Sequence, residues 1–136
     1  MTKVAVVTGG TAGIGLATAH LFARRGWAVA VIARDPERLR KTEAALAAYG
    51  GSVLAISADV ADAAALDAAA ERIEGEIGPI RAWVNNAMAT IVNPADRITP
   101  DEYKRVTETT YLSQVYGTLA ALRHMKPRNR GAIIQV

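Results

Sequence analysis

Short apolar runs and helix-spaced apolar residues alternate along the 136-residue chain. The runs have the length and β-branched content of strands, and the segments between them repeat apolar residues every three or four positions, as helices do. The predicted strands are 4–7, 27–33, 52–57, 80–85 and 132–136. The predicted helices follow the loop 9–15, begin at Asp35-Pro36, cover 66–77 and extend from about 101 to 125. The order is β-α-β-α-β-α-β-α-β.

The predicted strands are apolar throughout, which is typical of a parallel sheet covered on both faces. Right-handed crossovers then place helices on both sides of the sheet. The sequence therefore predicts an α/β fold with a doubly wound parallel sheet of the Rossmann type, in three αβα layers. Nothing in residues 1–136 suggests a linker, so one domain is predicted.

Several side chains are predicted to face the core. On the second and third helices these are Leu39, Ala45, Leu46 and Tyr49, followed by Leu66, Ala70, Ile73 and Ile77. The long helix is predicted to be interrupted at Thr109-Thr110, where β-branched residues cluster. The last run, Ala132 to Val136, is predicted to form a buried strand.

Composition narrows the class of protein. Hydrophobic residues make up 51% of the chain and charged residues 21%, which is a globular profile. The absence of cysteine excludes disulfides, thiolate metal sites and cysteine nucleophiles. The first apolar run is too short for a signal peptide, and no run approaches the roughly 20 residues of a membrane span. A cytoplasmic protein with no membrane partner is predicted.

The net charge is +3, and the basic residues cluster at Arg123 to Arg130. A nucleic-acid patch is one interpretation, but no aromatic residues interleave with these charges. A helix C-terminus whose cations complement the dipole, followed by a solvated turn, is the favoured interpretation. No nucleic-acid partner is predicted.

The first strand leads directly into a glycine loop, Thr8 to Gly15, with four glycines in seven residues. Glycines let the backbone approach a pyrophosphate closely, and the following helix N-terminus offers free N–H groups. The loop lacks the Gly-Lys-Ser/Thr ending of NTPase loops. Its position between a strand and a helix favours dinucleotide binding over a simple turn.

The glycine spacing, preceded by Thr8, resembles the TGxxxGIG signature of the short-chain dehydrogenase/reductase family. Asp59-Val60 is similar to that family's adenine-contacting pair, Asn85-Asn86-Ala87 to its NNAG motif, and Thr110 to Thr118 to its NxxGxxxGT stretch. The resemblance implies hydride transfer between a nicotinamide and a small carbonyl or alcohol substrate, in a homo-oligomer. The residues expected to bind the cofactor are Gly9, Thr11, Ala12, Gly13, Ile14, Gly15, Arg34, Asp59, Val60, Asn86 and Ala87.

The end of the second strand bears on the choice of cofactor. An NAD site places an acid there for the ribose 2′-OH, whereas this chain has Ala33 followed by Arg34, whose guanidinium suits a 2′-phosphate. NADP is therefore predicted over NAD. The alternative to a phosphate contact is that Arg34 is simply a solvated residue at the start of a loop. Asp35 is a candidate helix cap or 2′-OH acceptor, and Ala12 stands where some NADP-using relatives carry a basic residue.

Other assignments also have alternatives. Asp59 is a candidate helix cap as well as an adenine contact, and Asn86 could serve simple turn chemistry. Three positions depart from the family pattern. Met88 replaces the glycine of NNAG, Thr110 replaces a catalytic asparagine, and Ser113 replaces a glycine. The asparagine's part in a proton relay is therefore open here.

In the resembled family, a serine and a Tyr-x-x-x-Lys segment carry proton transfer. No tyrosine here has lysine four residues later, and no metal site or catalytic residue is assigned within 1–136. The resemblance places those residues beyond Val136. The sheet is therefore expected to be incomplete at its C-terminal side, and residues 1–136 alone to be catalytically incompetent and prone to association. A non-catalytic nucleotide-binding module or regulatory subunit is the alternative.

Overall fold

The computed structural model describes residues 2–136, and its centre is a five-stranded parallel sheet. The strands are β1 (Val4–Thr8), β2 (Ala28–Ala33), β3 (Val53–Ser57), β4 (Ile80–Asn85) and β5 (Ala132–Gln135). Their order is β3-β2-β1-β4-β5, so the chain extends the sheet in one direction to β3 and then crosses to the other side of β1. The predicted doubly wound sheet is confirmed.

Helices cover both faces of this sheet. They are α1 (Gly13–Arg24), α2 (Pro36–Ala47), α3 (Ala63–Glu76), α4 (Pro100–Val106) and α5 (Ser113–Met125). A π-helical turn, Thr107–Leu112, joins α4 to α5, and a short 3-10 turn, Ala95–Arg97, lies in the preceding loop. The predicted interruption at Thr109-Thr110 is confirmed, and it takes the form of this wider turn rather than a break.

The core has two parts, one on each face. The first cluster lies between the sheet and the helices α3 and α5, and it includes Trp83, Leu66 and Ile73, which are all fully buried. The second cluster lies between the sheet and the helices α1 and α2, and it includes Val31 and Leu46. Fully burying a large aliphatic or aromatic side chain contributes about 1.5–3 kcal/mol, so the apolar strands are the main source of stability.

Small residues form the buried side of α1: Gly15, Ala19 and Ala23. Two larger apolar residues of α1 lie outward, with Ile14 67% and Leu21 39% exposed, whereas Phe22 is partly buried against the second cluster. Small side chains bring the helix axis close to β1 and β2. The helical period was therefore visible in the sequence, but the buried face is set by the small residues.

The predicted buried side of α2 is partly wrong. Leu39 and Leu46 are buried, but Ala45 and Tyr49 are exposed, and Thr42 is buried instead. Tyr49 lies beyond the end of the helix, where its hydroxyl pairs with Nδ1 of His20 at 3.2 Å.

Most of the prediction for α3 is confirmed. Leu66, Ala70 and Ile73 are buried, and Ile77 is partly buried.

The predicted fifth strand forms, but among residues 2–136 it is not buried. β5 lies at the sheet edge, pairs only with β4, and has Ile134 40% and Val136 55% exposed. Ile133 is partly buried against the cluster of α3 and α5. The apolar run predicted the strand correctly, and within residues 2–136 only β4 pairs with it.

The basic cluster lies where α5 ends, and it pairs with acids of α3. Arg123 is 2.9 Å from the carboxylate of Asp67, and Arg128 is 2.7 Å from that of Glu74. These ion pairs and the turn that follows Met125 agree with the helix-terminus interpretation of the cluster.

Candidate dinucleotide-binding site

A groove of about 400 Å³ opens at the carboxyl ends of β1, β2, β3 and β4. It lies where the strand order reverses around β1, which is the position where open α/β sheets bind ligands. Nine of the eleven residues predicted to bind a cofactor line it: Gly9, Ala12, Gly13, Ile14, Arg34, Asp59, Val60, Asn86 and Ala87. The fold therefore brings together residues from four separate segments of the chain.

The other two predicted residues lie nearby. Gly15 is buried under the loop, where a Cβ would overlap the carbonyl oxygen of Gly9 and the side-chain amide of Asn86. Thr11 lines a separate depression between α1 and α2. Gly15 thus permits close packing behind the groove, and Thr11 lies outside it.

The glycine loop presents bare backbone to the groove. Gly9 and Gly13 have φ angles of +65° and +53°, a region that favours glycine, and a Cβ on Gly13 would meet nothing within 4 Å. Ala12 provides no side-chain cap for α1, and the first turn of the helix holds no acidic residue. The first N–H groups of α1 are therefore free to bind an anion such as a pyrophosphate.

Thr8 ties the loop to the end of β4. Its hydroxyl oxygen accepts hydrogen bonds from the backbone N–H groups of Asn86 at 3.0 Å and Ala87 at 3.1 Å. The side-chain amide of Asn86 donates to the carbonyl oxygen of Gly9 at 3.2 Å. The two central strand ends are thus held in register, and the Asn86 side chain shapes the groove floor.

The neighbouring Asn85 points away from the groove into a buried polar network. Its side-chain oxygen accepts from Nε1 of Trp83 at 2.8 Å, and its amide donates to Oε1 of Gln135 at 2.9 Å. A Cβ on Gly117 would overlap the same Asn85 oxygen, so glycine is required there. This network joins β4, β5 and α5.

At the end of β2, Arg34 is exposed and lines the groove, and the Ser57 hydroxyl donates to its carbonyl oxygen at 3.0 Å. The carboxylate of Asp35 accepts from the backbone N–H of Glu37 at 2.9 Å and caps α2. The helix-cap interpretation of Asp35 is confirmed. One oxygen of its carboxylate is used for the cap and Asp35 does not line the groove, whereas Arg34, directly after β2, does.

Asp59 is held on both sides. One carboxylate oxygen accepts from the backbone N–H of Ala61 at 3.0 Å, and the other accepts from Arg105 on α4 at 3.0 Å. Burial raises the pKa of Asp59, but the Ala61 N–H and the charges of Arg105 and Arg34 outweigh it and lower the pKa. The cap of α3 is Asp62, so Asp59 is not the helix cap.

Hydroxyl groups fix the loop that follows β4. The Thr110 hydroxyl donates to the Ala89 carbonyl at 2.7 Å and accepts from the Ala89 N–H at 3.0 Å. The Ser113 hydroxyl donates to the Thr109 carbonyl at 2.5 Å. The Thr110 hydroxyl therefore bonds both the carbonyl and the N–H group of Ala89. These two bonds anchor the loop after β4 to the π-helical turn.

Three further residues belong to the site. Met88 lines the groove and is 64% exposed, Thr109 forms part of the wall, and Arg105 holds Asp59. The sequence marked Met88 only as a departure from the family pattern. The sequence did not predict that Arg105 and Thr109 belong to the site. The π-helical turn breaks the regular three-to-four-residue spacing from which the inward side of a helix is inferred.

The fold and the groove define a nucleotide-binding protein of the Rossmann class. A family model described as short chain dehydrogenase matches residues 3–136, and the chain belongs to that family.

Similar proteins share this fold over nearly the whole chain. An uncharacterised oxidoreductase, YxnA, of Bacillus subtilis is 35% identical over 135 residues. The match covers 98% of this chain and 38% of the length of YxnA. NAD+-bound xylitol dehydrogenase has a TM-score of 0.93 at 29% identity, covering 98% of this chain and 52% of its own. L-Sorbose reductase from Gluconobacter frateurii, complexed with NADPH and L-sorbose, has a TM-score of 0.92 at 31% identity. The match covers 98% of this chain and 51% of the reductase chain.

The chain spans about half the length of the curated relatives it matches. Within residues 2–136, no helix has both the length and the apolar character required to cross a bilayer.

Proposed function

We propose that this chain is the cofactor-binding portion of an NADP(H)-dependent oxidoreductase, which transfers hydride between the nicotinamide and a small carbonyl or alcohol substrate. The observation that carries the choice of NADP is at the end of β2. Arg34 lies at the groove, and the adjacent Asp35 carboxylate caps α2. A guanidinium pairs well with a 2′-phosphate, and the neighbouring carboxylate of Asp35 caps α2 through one oxygen and does not line the groove.

The remaining lining residues fit the other parts of a dinucleotide. The free N–H groups at the start of α1 suit the pyrophosphate, and Ile14, 67% exposed, offers apolar surface beside them. Asp59 and Val60 would contact the adenine, and Asn86 and Ala87 would lie against a ribose. The bound nicotinamide supplies the hydride, whereas these residues bind and orient the cofactor.

The proposal extends to the whole protein. Residues 1–136 contain no Tyr-x-x-x-Lys segment, so we assign proton transfer to residues outside them. We further propose a cytoplasmic homo-oligomer. Exposed apolar side chains along one side of the long helix, Tyr111, Val115 and Leu119, support the association of copies.

The test is the affinity of the Arg34→Ala variant for NADPH and NADH, measured by fluorescence titration. We expect at least a tenfold loss for NADPH and less than a threefold change for NADH, because the guanidinium would contact only the 2′-phosphate. Arg40→Ala is the matched control, since Arg40 is exposed on α2 and does not line the groove. Equal losses for both cofactors would refute the NADP assignment, and failure of the unmodified chain to bind either would refute nucleotide binding.

A further inference from the structure

Thr109 has a feature that the proposed function does not use. Its side chain is 7% exposed and forms part of the groove wall, yet its buried hydroxyl has no hydrogen-bond partner among residues 2–136. Nearby hydroxyls are all paired, including those of Thr107, Thr110 and Ser113. A buried unpaired hydroxyl lowers stability, so such a group in a groove points to a ligand as its partner.

The Thr109 hydroxyl differs from its neighbours in the same helix. Thr107 and Ser113 donate to the carbonyl four residues earlier, which is the usual choice for a hydroxyl in a helix. Thr109 lies inside the π-helical turn and makes no such bond, although Ser113 makes one to the Thr109 carbonyl across that turn. The Thr109 hydroxyl is therefore left without a partner among residues 2–136.

The position of Thr109 in the groove indicates which part of a bound dinucleotide would lie next to it. Arg105, four residues earlier in the same continuous helix, bonds the carboxylate of Asp59. Asp59 and Val60 line the same groove as Thr109 and come from the loop after β3. This wall is assigned to the adenosine half of the dinucleotide, whereas the start of α1 faces the pyrophosphate.

We propose that the Thr109 hydroxyl hydrogen-bonds to the adenosine half of the bound dinucleotide, at a ring nitrogen or a ribose hydroxyl. A hydroxyl both donates and accepts, so it suits either group. Oγ1 itself is fully buried, so this bond requires Thr109 to change its χ1 rotamer, which moves the hydroxyl without moving the backbone. This inference rests on the proposed function, because it presumes that the groove binds a dinucleotide.

The test compares Thr109→Val, which keeps the shape and removes the hydroxyl, with Thr109→Ser, which keeps the hydroxyl. Isothermal titration of the 136-residue chain would measure the affinity for NADPH and for adenosine 2′,5′-bisphosphate, which carries only the adenosine half. We expect Thr109→Val to weaken both ligands by a similar factor of about 5 to 10, and Thr109→Ser to stay within about twofold of the unmodified chain. Thr107→Val is the control, because its hydroxyl bonds only the Tyr103 carbonyl on the exposed side.

A second measurement separates a ligand contact from a structural role. Without ligand, Thr109→Val should melt a few degrees higher, because it removes an unpaired buried hydroxyl. Unchanged affinity in Thr109→Val, or a lower melting temperature or loss of folding, would overturn the inference and leave the proposed function intact. If the unmodified chain binds neither NADPH nor NADH, the proposed function fails and the inference fails with it.

Discussion

The hydroxyl of Thr8 accepts the backbone N–H of Asn86 at 3.0 Å, and this bond joins the carboxyl ends of two parallel strands across 78 residues of sequence. The same oxygen accepts from Ala87, so the hydroxyl satisfies two backbone donors at the floor of the groove. One side chain thereby sets the spacing between the glycine loop and the loop after β4.

Replacing Thr8 with valine should destabilise the fold by about 1–3 kcal/mol, because it leaves the N–H groups of Asn86 and Ala87 without their acceptor. The midpoint and slope of urea unfolding would measure the change. Thr18→Val is the control, since the Thr18 hydroxyl bonds only the Ile14 carbonyl within α1, and it should stay within about 0.5 kcal/mol. Equal stability of the two variants would contradict the role assigned to Thr8.

Gly15→Ala should weaken NADPH binding at least tenfold and destabilise the fold by about 1–3 kcal/mol, because its Cβ would overlap the Gly9 carbonyl and force the loop to move. Titration with NADPH and urea unfolding would measure the two effects. Gly75→Ala is the matched control. Gly75 lies in α3 with open space around it, so alanine should stabilise the helix by about 0.5–1 kcal/mol. Normal cofactor affinity in Gly15→Ala would show that the loop adapts.

The stabilisation that comes from Asp59 should depend on pH. The pKa of this carboxyl is lowered in the folded state, so the stabilising contribution is present above its ordinary value of 3.8 and is lost as the pH falls through the lowered folded-state pKa. The side chains of Asp59 and Arg105 are 39% and 38% exposed, so solvent screening keeps the contribution of the pair below about 1 kcal/mol.

Unfolding free energies of the unmodified chain and Asp59→Asn would be compared between pH 3 and pH 7. The difference should be constant near neutral pH and should shrink below about pH 4. Added salt should reduce it at neutral pH, because the pair is partly exposed. A difference that grows on acidification would contradict the assigned direction of the pKa.

Glu74→Gln should destabilise the fold by about 1.5–3 kcal/mol, because it removes the charge that binds Arg128 at 2.7 Å, although the amide oxygen can still accept from the backbone N–H of Ile80. Glu76→Gln is the control on the same helix. The Glu76 pair with Arg72 is about half exposed, and its loss should change the stability by only about 0.3–0.5 kcal/mol. Thermal unfolding of both variants would measure the difference, and equal shifts would show that the pair with Arg128 contributes no more than the exposed pair.

Much of the fold could be predicted from the sequence. The runs that became β1 and β2 are almost entirely apolar because these strands are covered on both faces, so composition alone revealed them. The run that became β5 was also recognised as a strand, but an apolar run does not show which strands lie on either side of it. Tyr49 was misplaced because its apolar ring suggested burial, whereas its hydroxyl pairs with His20 near the surface.

The candidate site was predicted where it depends on local backbone, as at Gly9 and Gly13, whose conformation restricts the residue type. Arg105 and Thr109 could not be predicted, because their position depends on how the helix is turned relative to Asp59. Thr11 was included through its place in the motif, and the structure turns it towards the space between α1 and α2.

The π-helical turn at Thr107–Leu112 has a consequence for how this segment tolerates insertions and deletions. Each residue of an α-helix advances the chain by about 100° around its axis. A π-helical turn closes its hydrogen bonds over five residues instead of four, so it takes up one extra residue within the turn. Losing one residue there should convert it to an α-helical turn, with Arg105 still facing Asp59 and Gly117 still packed against the sheet. Losing one residue from the middle of α5 should instead rotate the residues on either side of it by about 100° relative to each other.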